Sequence, residues 1–444
     1  MAQSFSPTSA RRTHRCGHRR TRLRQSRASG SFASRSAELK RLPLEGIRVA
    51  DFTWIGAGSF TTKLLADHGA DVIKIESAER LDSLRSSRPY KDGIPGLNRS
   101  GYFADRNSSK RSITLNLKTA EGQDLARQLI ATSDIVANNF TPGTMEKFGL
   151  GYDDVKRIRN DVIYLAMSMQ GASGPEYKYL GYGLTIGALT GLQFMCGLPD
   201  REPAGTGTNF PDHIPNPCHA AFAVLAALRH RRLTGQGQYI DVAQTEPTLA
   251  LLGPDIMKYS ANQEAGGRSG NQRMPRSPHG VFPCRGVDKW IAISAWEDRA
   301  WNSLVAALGE PAWLAAPEFA TSAGRWANRA EHETALARAT KDWDAEDLMA
   351  ALQAKGVAAG VVRTAADIVD HDPQLQHRGH WVKLQHPEMG ETVYNAPPFR
   401  ISDHPSTPRY AAPLLGQHTD DVCRNVFGLS GAEIDVLRSN GVLT

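Results

Sequence analysis

Residues 51–76 read DFTWIGAGSFTTKLLADHGADVIKIE. Ile47, Val49 and Phe52 make an apolar, strand-like run that meets a turn containing Gly56 and Gly58. A helix-like segment follows, and a second strand, ADVIKI, closes on Glu76. Strand, glycine turn, helix and strand in this order predict a helix packed against a parallel pair. Gly56 and Gly58 fall where backbone N–H groups of a dinucleotide-binding loop touch a pyrophosphate. Glu76 lies about 20 residues further on, at the place of a ribose-binding carboxylate. The fingerprint is incomplete, because Thr61 takes the third glycine position, where close helix–strand packing disfavours a side chain. One reading is a nicotinamide or flavin oxidoreductase; the other is an enzyme for a different nucleotide-bearing ligand.

The same alternation continues outward. From about Leu42 to Gln244, strand signals (IRVADF, DVIKI, SITLNL, DIVANN, VIYLAMSM, QYIDVAQ) alternate with helix-like runs. In AEGQDLARQLIAT, Leu125, Leu129 and Ile130 share one face. This predicts an α/β fold with a mostly parallel sheet, whose ligands bind beyond the carboxyl ends of the strands. NPCHAAFAVLAALRHRRLTG predicts a long helix, with Asn216 as its cap, Pro217 at its first position and Gly235 just past its end. Residues from about Gly266 to Lys355 change character: a Gly/Pro/Arg-rich loop, a short strand at WIAIS, then helical segments, together a smaller second domain. Strand signals return at GVAAGVV, HWVKLQ and ETVYN, before a closing helix near Gly431–Ser439.

Composition excludes several classes. The chain has 444 residues, 41% hydrophobic and 22% charged, an ordinary globular balance with room for a large core. It lacks a run of about 18 apolar residues, so no membrane span is predicted. The net charge of +6 misleads. Residues 1–40 hold nine Arg and Lys40 against Glu38, a balance of +9, so the remainder carries −3 and gives no reason to expect nucleic acid. That Arg- and Ser-rich start, residues 1–41, has too few apolar residues to fold alone. It reads as a disordered basic extension, a transit peptide or an arm for an acidic partner. His14, Cys16 and His18 within it lack a fourth metal ligand nearby. Five cysteines without CxxC spacing suit a reducing compartment. A cytoplasmic location is expected, or a mitochondrial one if the start is a transit peptide.

Taken in order, LEGIRVADFT, LADHGADVIKIE, NSSKRSITLNLKTAEG, ANNFTPGTMEKFGLGY, LAALRHRRLTGQGQYIDVA and PLLGQHTDDV resemble the family III CoA-transferases. The resemblance implies a large Rossmann-like domain built from both chain ends, 42–250 and 356–444, and a small domain, 251–355. It also implies two subunits interlocked as a homodimer. Coenzyme A carries an adenine nucleotide without needing the full glycine fingerprint. The family's catalytic Asp precedes the long helix, and the matching residue in NFPDHIPNPCHAAFAVLAAL is Asp212. No other acid lies between Glu202 and Asp241, and Pro211, Pro215 and Pro217 would stiffen the segment. A carboxylate there can attack a thioester carbonyl and expel CoA thiolate, a good leaving group. No metal or redox cofactor is implied. The bland alternative for Asp212 is a carboxylate stabilising the helix start.

The resemblance further implies that GGRSGNQ is a glycine loop over the active site, with Gly270, Asn271 and Gln272 supplying donors for an oxyanion. For coenzyme A it points to Trp54, Ile55, Gly56 and Ala57, to Leu115 and Lys118, to Asn139 and Phe140, and to Lys147. One departure stands out. Many family members have an acid after the Tyr of a Y-[DE] element, but LGYGLTIG offers Tyr182 and then Gly183. The related α-methylacyl-CoA racemases place a His-Asp pair there, and Tyr182-Gly183 cannot do that acid–base work. WIGAG, LADHGA, SGYF, PDHIPNP and SPHGVFPC resemble most the subgroup acting on dicarboxylic or aromatic acids, a resemblance that points to succinyl-CoA as one candidate donor. Expected partners are therefore an acyl-CoA and a carboxylic acid. The alternatives are a racemase-like enzyme, an NAD-binding oxidoreductase and a non-catalytic CoA-binding protein.

Overall fold

A computed structural model describes residues 41–314, 316–404 and 407–444. Apart from Arg41, the basic extension read over residues 1–41, with His14, Cys16 and His18, lies outside them. The central sheet has six parallel strands: β1 (Arg48–Asp51), β2 (Asp71–Glu76), β3 (Arg111–Thr114), β4 (Ile135–Asn138), β5 (Ile163–Ala166) and β6 (Gln238–Asp241). Their order is β3-β2-β1-β4-β5-β6, the doubly wound order that reverses direction between β1 and β4. Five of the six strands are shorter than the runs that announced them, while β2 extends one residue further, to Glu76. VIYLAMSM, for example, keeps only Ile163–Ala166 in the ladder.

The helices that matter to the site are α1 (Ile55–Asp67), α2 (Gly101–Arg106), α3 (Ala120–Ala131), α4 (Tyr152–Ile158), α5 (Gly183–Leu189), α6 (Phe210–His213) and α7 (Pro215–Thr234). Strands buried on both faces need helices on both, and the apolar faces sort them accordingly. On one face α3 contributes Leu125, Leu129 and Ile130, packed with Ile73, Ile113 and Val136 of the sheet. On the other, Leu65 and Ala66 of α1 meet Ala220 and Val224 of α7 over Val49, Ile135 and Ile163. Helix α7 starts at Pro215, two residues before the expected first position. Asn216 therefore lies inside it, and its amide faces Gln244 Oε1 at 3.4 Å rather than capping the helix. Gly235 ends it in the left-handed conformation, φ 74°, as the sequence predicts.

The two chain ends build one layer. Val422, Cys423, Ile434, Val442 and Leu443 join the α3 face of the core. His418 N–H donates to Ser112 O at 2.8 Å, and Asn116 N–H donates to Val442 O at 2.8 Å. A separate core forms around β7 (His279–Pro283), β8 (Trp290–Ser294) and β9 (Ala358–Val361), an antiparallel sheet covered by helices that bring in Trp301, Leu304, Leu336 and Leu348. Strand β9 lies beyond residue 355, so this smaller sheet takes in chain that the sequence reading gave to the large domain. The strands β10 (Trp381–His386) and β11 (Gly390–Asn395) form an antiparallel hairpin of their own. Its Met389 and Tyr394 pack on Leu84 and Phe103. Among the described residues no helix is long and apolar enough to cross a membrane.

Behind β2 a fully buried ion pair ties the sheet to the segment that follows it. Arg85 Nε and Nη2 donate to the two carboxylate oxygens of Glu76, each at 2.7 Å, and Ser112 Oγ donates at 2.8 Å. Removing one partner strands the other charge away from water. Glu76→Ala is expected to destabilise the fold by about 3–5 kcal/mol, read as an earlier midpoint in urea. An unchanged midpoint would mean that Arg85 finds water or another acid.

Candidate active site

The turn after β1 is held by charges buried beneath it. Lys74 Nζ donates to Thr53 O at 2.6 Å and pairs with Asp82 at 3.0 Å. Asp82 in turn accepts the Ile55 N–H at 3.1 Å. Asp51 pairs with Lys110 at 3.1 Å and accepts from the hydroxyls of Thr53 and Thr62 at 2.6 and 2.8 Å. Burial raises the Asp51 carboxyl, but Lys110 and Lys74 outweigh it and hold the group below the usual range. So braced, Ile55 adopts φ 58°, a region that β-branched residues rarely enter. Asn139 fixes the turn from β4: its amide donates to Trp54 O at 2.7 Å and its carbonyl accepts Trp54 N–H at 2.8 Å.

The glycine fingerprint has local causes. A Cβ on Gly58 would lie 2.7 Å from Thr53 Cβ and 2.9 Å from Asn139 Cγ. A Cβ on Gly56 would lie 3.0 Å from Asp212 Cβ and 3.3 Å from the Tyr102 hydroxyl. Thr61 fits the third position because its hydroxyl donates back to Ala57 O at 2.8 Å. Glu76, the supposed ribose carboxylate, is consumed by Arg85 and Ser112. The dinucleotide reading loses its acid.

Asp212 sits on the four-residue helix α6, with Pro211 before it and Pro215 opening α7. It is 1% exposed. Its Oδ2 accepts the Gly183 N–H at 3.0 Å, while Oδ1 has no hydrogen-bond partner among the described residues. Burial pushes this carboxyl up to about 6, with the Gly183 N–H and Arg106 pulling the other way. A basic, dry and half-unsatisfied carboxylate is what a nucleophile requires. Beside it, Tyr102 OH lies 3.0 Å from His213 Nε2, and Thr208 Oγ1 lies 3.2 Å from Nδ1. Burial and Arg106 lower His213 to about 4, so its imidazole is neutral near pH 7. Arg106 lies 4.3 Å over the Phe60 ring and pairs with Asp105 at 3.0 Å. The sequence reading missed Tyr102, His213 and Arg106. Only their chain position in SGYFADR and PDH was visible, and no spacing rule joins residues 102 and 213.

Two cavities meet at this turn. A cavity of about 360 Å³ is lined by Trp54, Leu115, Lys118, Phe140 and Lys147, all expected for coenzyme A, and by Arg80, which was not. Trp54 and Phe140 stand edge to face at 5.2 Å, and Arg80 lies 5.6 Å over Trp54. Lys118 pairs with Glu79 at 2.9 Å. A smaller cavity of about 70 Å³ gathers Ile55, Gly56, Ala57 and Asn139 with Asp212. Thr141 lines both. Gly270, Asn271 and Gln272 line a third, open cavity over β7–β9, about 930 Å³, whose walls do not include Asp212. Within one chain, the structure does not bring the glycine loop and Asp212 together. Among the described residues, no three His, Cys, Asp or Glu side chains group as metal ligands.

Comparisons with known proteins agree along the chain. The sequence profile of CoA-transferase family III matches residues 44–419. Succinyl-CoA–D-citramalate CoA-transferase of Chloroflexus aurantiacus is 31% identical over 90% of this chain and 98% of its own length. Succinate–glutarate CoA-transferase of Agrobacterium fabrum is 32% identical over 86% and 95%. Among solved structures, a CaiB/BaiF family protein from Brucella suis superimposes with a TM-score of 0.80 at 32% identity, covering 87% of this chain and all of that one.

The Asp212 environment carries a stability signature. Its carboxyl is raised from 3.8 to about 6, so the folded state holds the proton more tightly than the unfolded one. Below pH 3.8 the group costs nothing. The penalty grows as pH rises to about 6 and is constant above, at roughly 3 kcal/mol. Asp212→Asn is therefore expected to raise the urea midpoint at pH 8 and to leave it unchanged at pH 3.5. Equal midpoints at pH 8 would show that the carboxylate is not desolvated.

Proposed function

The chain belongs to CoA-transferase family III, and from that premise we propose that it moves coenzyme A from succinyl-CoA to a dicarboxylic acid, with Asp212 as nucleophile. The observation that carries this reading is the unpartnered, buried Oδ1 of Asp212 in a cavity that shares Thr141 with the larger one. The larger cavity, with Lys147, Arg80 and the Trp54 and Phe140 rings, has the basic and aromatic groups that phosphates and an adenine require. The acids come from the relatives: the similar enzymes include transferases for D-citramalate, L-malate and glutarate.

In this mechanism an Asp212 oxygen attacks the donor's thioester carbonyl. The C–S bond breaks, CoA leaves as thiolate, and a mixed anhydride remains. The thiolate then attacks the Asp212 carbonyl carbon, releases succinate as its carboxylate and leaves an aspartyl-CoA thioester. An acceptor carboxylate attacks the same carbon, and the two steps run in reverse on the new acid. No proton is gained or lost overall, so His213 need not titrate. The first step requires the ionised carboxylate, so the rate falls as pH drops below about 6.

A homodimer belongs to the same reading. Leu180, Leu184, Phe222 and Met257 are all more than half exposed, apolar side chains of the kind a second copy would cover. The separation of Gly270–Gln272 from Asp212 within one chain is accounted for if the loop of one protomer serves the Asp212 of the other. A cytoplasmic setting is part of this proposal.

The test is a CoA-exchange screen. The purified protein is incubated with succinyl-CoA or acetyl-CoA and a panel of carboxylic acids, and new thioesters are read by mass spectrometry. New dicarboxylyl-CoA is expected, and Asp212→Ala should lower its formation by at least about 10³-fold. Transfer that survives in Asp212→Ala would remove the nucleophile. No exchange, with deuterium entering Cα of a 2-methylacyl-CoA, would make the enzyme a racemase.

A further inference from the structure

Gly183, where the family resemblance leads one to expect an acid, has no room for any side chain. A Cβ there would lie 2.6 Å from both Cβ and Cγ of Asn209 and 2.9 Å from its Oδ1. Asn209 stands three residues before Asp212, and its carbonyl accepts the Asp212 N–H at 3.0 Å, opening α6. The main chain of Gly183, pressed against that side chain, is the one that donates to Asp212 Oδ2. The charged and titratable groups around Asp212 are Arg106 with its partner Asp105, the neutral His213, Tyr102, and the Tyr179 and Tyr182 side chains that line the same cavity. The group that fills the volume over Gly183 is a carboxamide.

We propose that Asn209 is a positioning residue standing in for a side chain at 183. By filling that space it seats the Gly183 N–H on one oxygen of Asp212 and leaves the other to attack. Being neutral, it also keeps a second carboxylate away from the point where the acceptor acid arrives. Once Asp212 is esterified as the CoA thioester, Arg106 remains with only Asp105 against it, and the local field favours an incoming anion. An acid at 209 would oppose that approach. This inference rests on Asp212 as nucleophile.

The experiment is a cycle of Gly183→Ala, Asn209→Gly and the double variant, with Asn209→Asp alongside. All are full-length chains assayed for exchange between succinyl-CoA and labelled succinate. Gly183→Ala is expected to lose about tenfold or more in kcat and to shift the acid limb of the pH profile upward, because the N–H that lowers the Asp212 pKa is displaced. The double variant should recover most of kcat and return the limb, since the clashing atoms are those of Asn209. Asn209→Asp should raise KM for succinate more than it lowers kcat. A fully active Gly183→Ala, or a double variant no better than the single one, overturns the proposal. If Gly183→Ala does not fold, an unchanged KM and pH limb in Asn209→Asp overturns it instead. Asp212→Ala in the same assay separates the two levels: if it still transfers, the nucleophile assignment has failed, and if it is dead while the cycle is additive, only the role of Asn209 has.

Discussion

Four buried charges beneath the turn after β1 set the geometry of the whole site. Asp51, Lys74, Asp82 and Lys110 are each fully buried, and taking such ions out of water costs several kcal/mol apiece unless every one is paired and hydrogen-bonded. Here the pairing is nearly complete, and its return is shape. Lys74 holds the Thr53 carbonyl and Asp82 holds the Ile55 N–H, so the chain is gripped on both sides of Trp54. The ring of Trp54 is thereby set in the wall of one cavity, and Gly56 is set against Asp212. Apolar residues in the same places would fill the space but would not fix the direction of two backbone polar groups.

That constraint recasts the glycine fingerprint. The first two glycines of a dinucleotide loop are present, yet each answers to a side chain of this protein rather than to a pyrophosphate. Gly58 admits Asn139 and Thr53; Gly56 admits Asp212. A motif of this kind records where a backbone must come close to something. It does not record what that something is.

The sheet was legible in the sequence because most of its strands are short apolar runs buried on both faces and alternate with helix-like segments; the exposed edge strand β6 was legible from its place after the long helix. The residues of the larger cavity were legible through a family resemblance, and the structure brings Trp54, Leu115, Lys118, Phe140 and Lys147 to one place. What stayed hidden depends on contacts between distant parts of the chain. Tyr102 meets His213, Arg106 acts on Asp212, and Asn209 fills the space over Gly183. Each pair joins local segments that are unremarkable alone. The start of α7 was misplaced for a related reason: Asn216 looks like a cap by residue type, but Gln244 draws its amide into the core.

The way the C-terminal segment clasps β3 has a consequence for how the protein comes into being. Asn116 is bonded to Val442, the Thr114 hydroxyl donates to Leu443 O, and Val442 and Leu443 belong to the core packed on α3. Strands synthesised early thus wait for residues made more than three hundred positions later before that face is closed. In the interval the nascent chain exposes an apolar surface of the kind that chaperones bind and that drives aggregation. The order of synthesis and the order of packing are opposed, and the yield of active protein depends on how that interval is bridged.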